Sequence, residues 1–161
     1  MLNQSADHAL RAVLFMAQQQ GAGSCNADLI AGAIGVPRNY LGKVLHTLAQ
    51  AGVLSSCRGP RGGFRLAVDP EVLTLATVVE PFQRMPERRT CLLGRGQCDP
   101  AAPCDSHRQW QGVAGQVTAF FNSTTIARML NGGGSAPVTD VSAAEHEAPA
   151  AGYPPTTRSS L

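Results

Sequence analysis

No run of apolar residues in this 161-residue chain is long enough to cross a membrane. The longest near the start, "ALRAVLFMA", is short, contains Arg11 and follows Asp7 rather than a basic cluster, so the pattern of a secretory leader is missing as well. The expectation is a cytoplasmic protein without a membrane partner. In that reducing compartment stable disulfides are uncommon, and clustered cysteines more often hold metal or do redox chemistry. Also missing are a glycine-rich phosphate loop, a carboxylate pair and any Cys–His grouping outside one loop, so an enzyme is the least expected reading. No segment repeats. Acidic residues are absent from one long window: Arg38 through Arg65 holds Arg38, Lys43, Arg58, Arg61 and Arg65 and not one Asp or Glu. That bias suits a face presented to a polyanion, against the plainer reading of a lightly charged, solvated surface.

Core-forming residues also run out near the C-terminus. Residues 132–161 are dominated by Gly, Ala, Pro, Ser and Thr, which predicts a disordered tail. The net charge is +2 over the whole chain, and residues 1–131 carry twelve bases against eight acids, or +4.

What is present reads as helices and one hairpin. Ala6, Ala9, Leu10, Val13, Leu14 and Ala17 recur at three- and four-residue steps, predicting an amphipathic helix over 4–20. Ser24 is a plausible N-cap for a second helix through Ile34, striped by Leu29, Ile30, Ala33 and Ile34. Gly35 can close it in the left-handed conformation, and Pro37 suits the first turn of a third helix running to about Gln50, with Leu41, Val44, Leu45 and Leu48 inward. Two short runs, "VLSSC" and "FRLA", then flank "RGPRGG", a β-hairpin signal. Helix, turn, helix and hairpin outline a winged helix-turn-helix, although many helical hairpins share the first part.

In such a unit the N-terminal part of the second helix meets base edges. The DNA-contacting set is therefore Arg38, Asn39, Tyr40, Lys43 and His46, joined by Arg58 and Arg61 at the wing tip. Arg38 has the geometry for guanine and Asn39 for adenine, while Lys43 and His46 suit phosphates. Gly42 is a helix-weakening residue that would let backbone approach DNA closely. A short helix is expected from near Thr74 to about Pro81, and one long helix from Asp105 to Leu130. Trp110, Val113, Ala114, Val117, Phe120 and Phe121 give that helix a continuous stripe, which suits a two-fold dimer interface or packing on its own domain.

The loop "CLLGRGQCDPAAPCDSH" carries Cys91, Cys98 and Cys104, with six and then five residues between them, and His107 three after the last. Three thiolates on one loop can wrap an iron–sulfur cluster. The spacings are too long for a compact zinc knuckle. A zinc site or a thiol–disulfide switch remains the alternative. Cys25 and Cys57 read as structural or surface thiols.

"DHALRAVLFMA", "YLGKVLHTLAQAGVLSSCRGPRGGFRLAVDP", "LTLATVV" and "CDSHRQW" together resemble the Rrf family of winged-helix transcriptional regulators, over residues 1–130. The resemblance implies a mainly α fold with a small β-hairpin wing and a long C-terminal dimerisation helix. It divides the chain into a DNA-binding domain at 1–82, a cluster-binding loop at 83–104, a dimerisation helix at 105–131 and the tail. It further implies a homodimer on double-stranded palindromic operator DNA, usually as a repressor, and a two-iron or four-iron cluster that senses nitric oxide, redox state or iron–sulfur status. Cys91, Cys98 and Cys104 match the family's cluster ligands, with a first spacing one residue longer than in its iron–sulfur regulator. The fourth ligand is then His107, which matches a ligand histidine, or Asp7, which matches an acid supplied across the dimer; His8 beside it is a third candidate.

Overall fold

A computed structural model describes residues 2–19, 23–57, 59, 62–84 and 106–132. Asn3 starts the first helix, its side chain accepting from the Ala6 amide at 2.8 Å, and α1 runs Gln4–Gln18. Alanines at 6, 9, 12 and 17 make the inward face of α1 narrow, so other helices approach it closely. It packs against α2 (Ala27–Ile34), α3 (Arg38–Gln50), α4 (Leu75–Val79) and α6 (Ile126–Gly132), and is the centre of the core.

Helix α2 starts two residues later than Ser24 suggests, because Asn26 is the N-cap and accepts from the Leu29 amide at 2.7 Å. Its buried face is Ile30, Ala31 and Ile34; Leu29 and Ala33, expected inward, face out. Gly35 closes it with φ 69°, as the turn requires. Pro37 lies one step outside α3, as its N-cap, and Leu41, Val44, Leu45 and Leu48 are buried as expected. The turn between α2 and α3 is thus short, and it fixes a helix-turn-helix.

Strands β1 (Leu54–Cys57) and β2 (Gly63–Leu66) pair antiparallel, from Leu54 opposite Leu66 to Cys57 opposite Gly63. Cys25, expected at the start of α2, instead bridges the outer edge of β2: it exchanges two backbone hydrogen bonds of 2.8 Å with Phe64. That crossing explains one wing glycine, since a Cβ on Gly63 would come within 2.3 Å of the Cys25 carbonyl oxygen. Burial pushes the Cys25 thiol above its ordinary range, so it is a poor nucleophile, in keeping with a structural role.

The expected helix over 105–130 is two helices. Helix α5 runs His107–Ser123, Thr124 turns extended, and α6 follows. The break is imposed from outside: Leu75 N–H donates to the Thr124 carbonyl at 2.9 Å, and Ile126 N–H to the Leu73 carbonyl at 2.8 Å. Thr125 then caps α6, accepting from the Arg128 amide at 3.2 Å. The stripe on α5 also divides. Ala114 and Phe121 are buried and Val117 packs on the core, whereas Val113 and Phe120 are each 51 % exposed. Arg58, Arg61, Asp105, the three loop cysteines and the expected tail beyond Gly132 lie outside the described residues. Among the described residues no helix is long and apolar enough to cross a membrane.

Candidate nucleic-acid interface and sensing site

With one face of α3 committed to the core, the helical period turns Asn39, Lys43 and His46 outward, and all three are exposed. Pro37 has no side chain to cap this helix, and no side-chain hydrogen bond closes its start. The first N–H groups of α3 are therefore without a side-chain cap. Arg38 is exposed too, but its Nε is paired with Asp28 Oδ1 on α2 at 2.5 Å. Tyr40 departs from the rest of the set. It is turned toward α1, its hydroxyl 2.7 Å from Ser5 Oγ and its ring edge-on to His8 at 5.4 Å between centroids. Gly42 has open space where a Cβ would stand, so packing does not require a glycine there.

The wing follows α3 directly. Arg65 lies on its exposed face and donates from Nε to Ser55 Oγ at 3.0 Å across the strands, and Gly62 closes the turn by donating to the Gly59 carbonyl at 2.8 Å.

The candidate ligands fall at two helix starts. Asp7 is half exposed on α1 and lies 3.7 Å from Arg11 Nη1; the same guanidinium donates from Nη2 to the Ile34 carbonyl at 2.8 Å, at the end of α2. His8 and His107 are buried, 9 % and 8 % exposed, and each has an Nδ1 with no hydrogen-bond partner among the described residues. His107 opens α5, immediately after the cysteine loop. The start of that loop is anchored to α1 as well. Asn3 donates from Nδ2 to the Phe82 carbonyl at 2.9 Å, and its amide donates to Gln83 Oε1 at 2.6 Å. No cluster of three or more His, Cys, Asp or Glu occurs among the described residues, which do not include the loop cysteines. Sequence reasoning missed the links between helices, Asp28 with Arg38, Tyr40 with Ser5 and Arg11 with the Ile34 carbonyl. Each joins residues distant in sequence and has no local signature.

A helix-turn-helix followed by a two-stranded hairpin defines a winged helix-turn-helix protein. The chain belongs to the Rrf2 family: the family model, described as an iron-dependent transcriptional regulator, matches residues 2–132. It is 39 % identical over 98 residues to a putative HTH-type transcriptional regulator from Aquifex aeolicus, a match covering 60 % of this chain and 68 % of that protein. It is 28 % identical over 145 residues to the HTH-type transcriptional regulator IscR of Escherichia coli, covering 90 % and 87 %. Against IscR of Vibrio vulnificus the match is 29 % and spans 57 % of that protein's length. Among solved structures, the fold is similar to that of CymR, the global cysteine regulator of B. subtilis, with a TM-score of 0.71 at 18 % identity over 83 % of this chain and 98 % of that one. It is similar also to T. potens IscR, with a TM-score of 0.64 at 21 % identity over 82 % and 87 %. These relatives and neighbours are transcriptional regulators, not enzymes.

Proposed function

We propose that this chain is a cytoplasmic, homodimeric regulator, acting as a repressor, whose affinity for double-stranded operator DNA is set by an iron–sulfur cluster. Residues 1–82 form its DNA-binding unit, 83–104 its cluster loop, and 105–131 its dimer-forming helices. The observation that carries the sensing part is His107, a buried imidazole whose Nδ1 has no partner among the described residues and which stands three residues after Cys104. A buried polar atom without a hydrogen bond is costly, and a metal ion supplies the missing partner. The donor set of Cys91, Cys98, Cys104 and His107 fits a two-iron or four-iron cluster, three soft thiolates and one imidazole. Asp7 is the weaker candidate within one chain, being half exposed and already beside Arg11. When bound, the cluster supplies a group that oxidants, nitric oxide or iron scarcity can alter.

The chain's own residues supply the rest. Arg38 and Asn39 are assigned to base edges, Lys43 and His46 to phosphates, and Arg58 and Arg61 to the minor groove beside the wing. Tyr40 instead braces α3 against α1 through Ser5. Helix α1 thereby touches both ends of the system: Asn3 holds the residues that lead into the loop, and Arg11 and Ser5 hold the helix-turn-helix. A shift of α1 on cluster loss changes how α3 meets DNA, which gives the two states different operator affinities. Val113 and Phe120 of α5 and Met129 of α6 are exposed large apolar side chains on the C-terminal helices, and a second copy of this chain is the occupant assigned to them.

The test is anaerobic purification followed by visible absorption and iron and sulfide analysis, then operator affinity with and without the cluster. Brown protein and a several-fold difference in affinity are expected. Equal affinities reject the sensing role. Colourless protein that responds to oxidant favours the thiol–disulfide switch, and colourless protein that retains zinc favours a zinc site.

A further inference from the structure

We propose that Asp28 is a positioning residue that orients the Arg38 guanidinium for bidentate reading of a guanine. The proposal rests on α3 being the helix that reads DNA. Arg38 is its first residue and Asp28 belongs to the first turn of α2, so the 2.5 Å pair ties the two helices across the Gly35–Pro37 turn. Nε is the atom that meets the carboxylate, and the planar guanidinium carries further donors in a fixed fork that matches guanine O6 and N7.

Three considerations point to orientation rather than stability. Both side chains are mostly exposed, 64 % for Arg38 and 63 % for Asp28, and pairs so exposed contribute little to folding. An arginine free in water loses much rotamer freedom when it docks on a base, and a carboxylate holding Nε removes part of that loss beforehand. An acid beside a DNA-binding face repels phosphates, and pairing with Arg38 compensates for it. The charge pattern agrees. No Asp or Glu lies between Arg38 and Arg65, and α3 has no acid in its own first turn, so the acid beside Arg38 comes from another helix.

The experiment uses the full-length protein, purified anaerobically, to enrich binding sequences from a duplex pool randomised over one operator length. Affinities are then measured by fluorescence anisotropy on the enriched duplex and on its single-base-pair variants. Arg38→Ala and Asp28→Asn are expected to flatten the preference at the same guanine, each by about tenfold, with other positions unchanged. The double variant should be no worse than Arg38→Ala alone. Arg38→Lys should keep the dependence on salt yet lose the guanine preference, because an ammonium cannot make the bidentate contact. If Asp28→Asn keeps the preference, or strengthens binding to every duplex equally, Asp28 does not position Arg38. If Arg38→Ala flattens no position, Arg38 reads no base, which overturns the proposal while leaving α3 as the reader. A wild-type protein that enriches no sequence overturns the reading of α3 itself.

Discussion

The outward face of α3 and the two buried histidines hold their polar groups in opposite ways. Asn39, Lys43 and His46 stand in water, where an unpaired donor or acceptor costs the fold nothing. His8 and His107 are buried with Nδ1 atoms that nothing among the described residues satisfies. A buried group left in that state costs about 1–3 kcal/mol. The described residues are therefore indifferent to the polar chemistry on α3 and supply no partner to the buried Nδ1 of His8 or of His107. In the proposed function, DNA is the reason for the first and a ligand to the His107 imidazole is the reason for the second. The two histidines differ in turn. The His8 ring packs against Tyr40 inside the helical unit, while His107 stands at the edge of the loop that carries the cysteines.

The largest expected effect tests the contrast within α3. Leu45 is fully buried two residues from Lys43, and Leu45→Ala should cost about 2–5 kcal/mol in thermal or denaturant unfolding. Next comes His107→Leu, which removes the nitrogen that has no partner among the described residues and puts a large apolar side chain in its place. The cluster-free protein should gain about 1–3 kcal/mol while the anaerobically purified protein loses its visible absorption. His8→Leu should leave the colour intact. A His107→Leu protein that stays brown and loses stability would mean that the imidazole serves the fold after all.

Much of this arrangement was legible in the sequence, and the parts that were not share a cause. The burial of α3 followed from Leu41, Val44, Leu45 and Leu48 alone, because a period of 3.6 fixes which face turns inward. The wing followed from its glycines, and Gly63 has a steric reason in the Cys25 carbonyl. The division of the C-terminal helix did not follow, because the apolar stripe continues through Thr124 while the break depends on backbone partners some fifty residues earlier, Leu73 and Leu75. One local signal was present: Thr125 precedes "IARML" as an N-cap should. At the candidate site, Asn39, Lys43 and His46 were placed by period, but the turning of Tyr40 toward Ser5 and of Arg38 toward Asp28 depends on how α1 and α2 pack on α3.

The two smallest effects probe the outward face itself. Space for a Cβ is open at Gly42, so Gly42→Ala should stabilise the protein by about 1 kcal/mol, the helix propensity difference. If backbone there lies against DNA, the added methyl group should weaken operator binding although the fold is firmer, and unfolding and anisotropy measurements should move in opposite directions. Lys43→Ala should change stability by no more than about 0.5 kcal/mol, because the side chain is exposed. It should nonetheless lower the slope of log affinity against log salt by about one, uniformly across sequences, as loss of a single phosphate contact does. An unchanged slope would remove Lys43 from the interface. A change confined to one base pair would make it a reader of sequence rather than of charge, leaving His46 and the open N-terminus of α3 as the phosphate contacts of this helix.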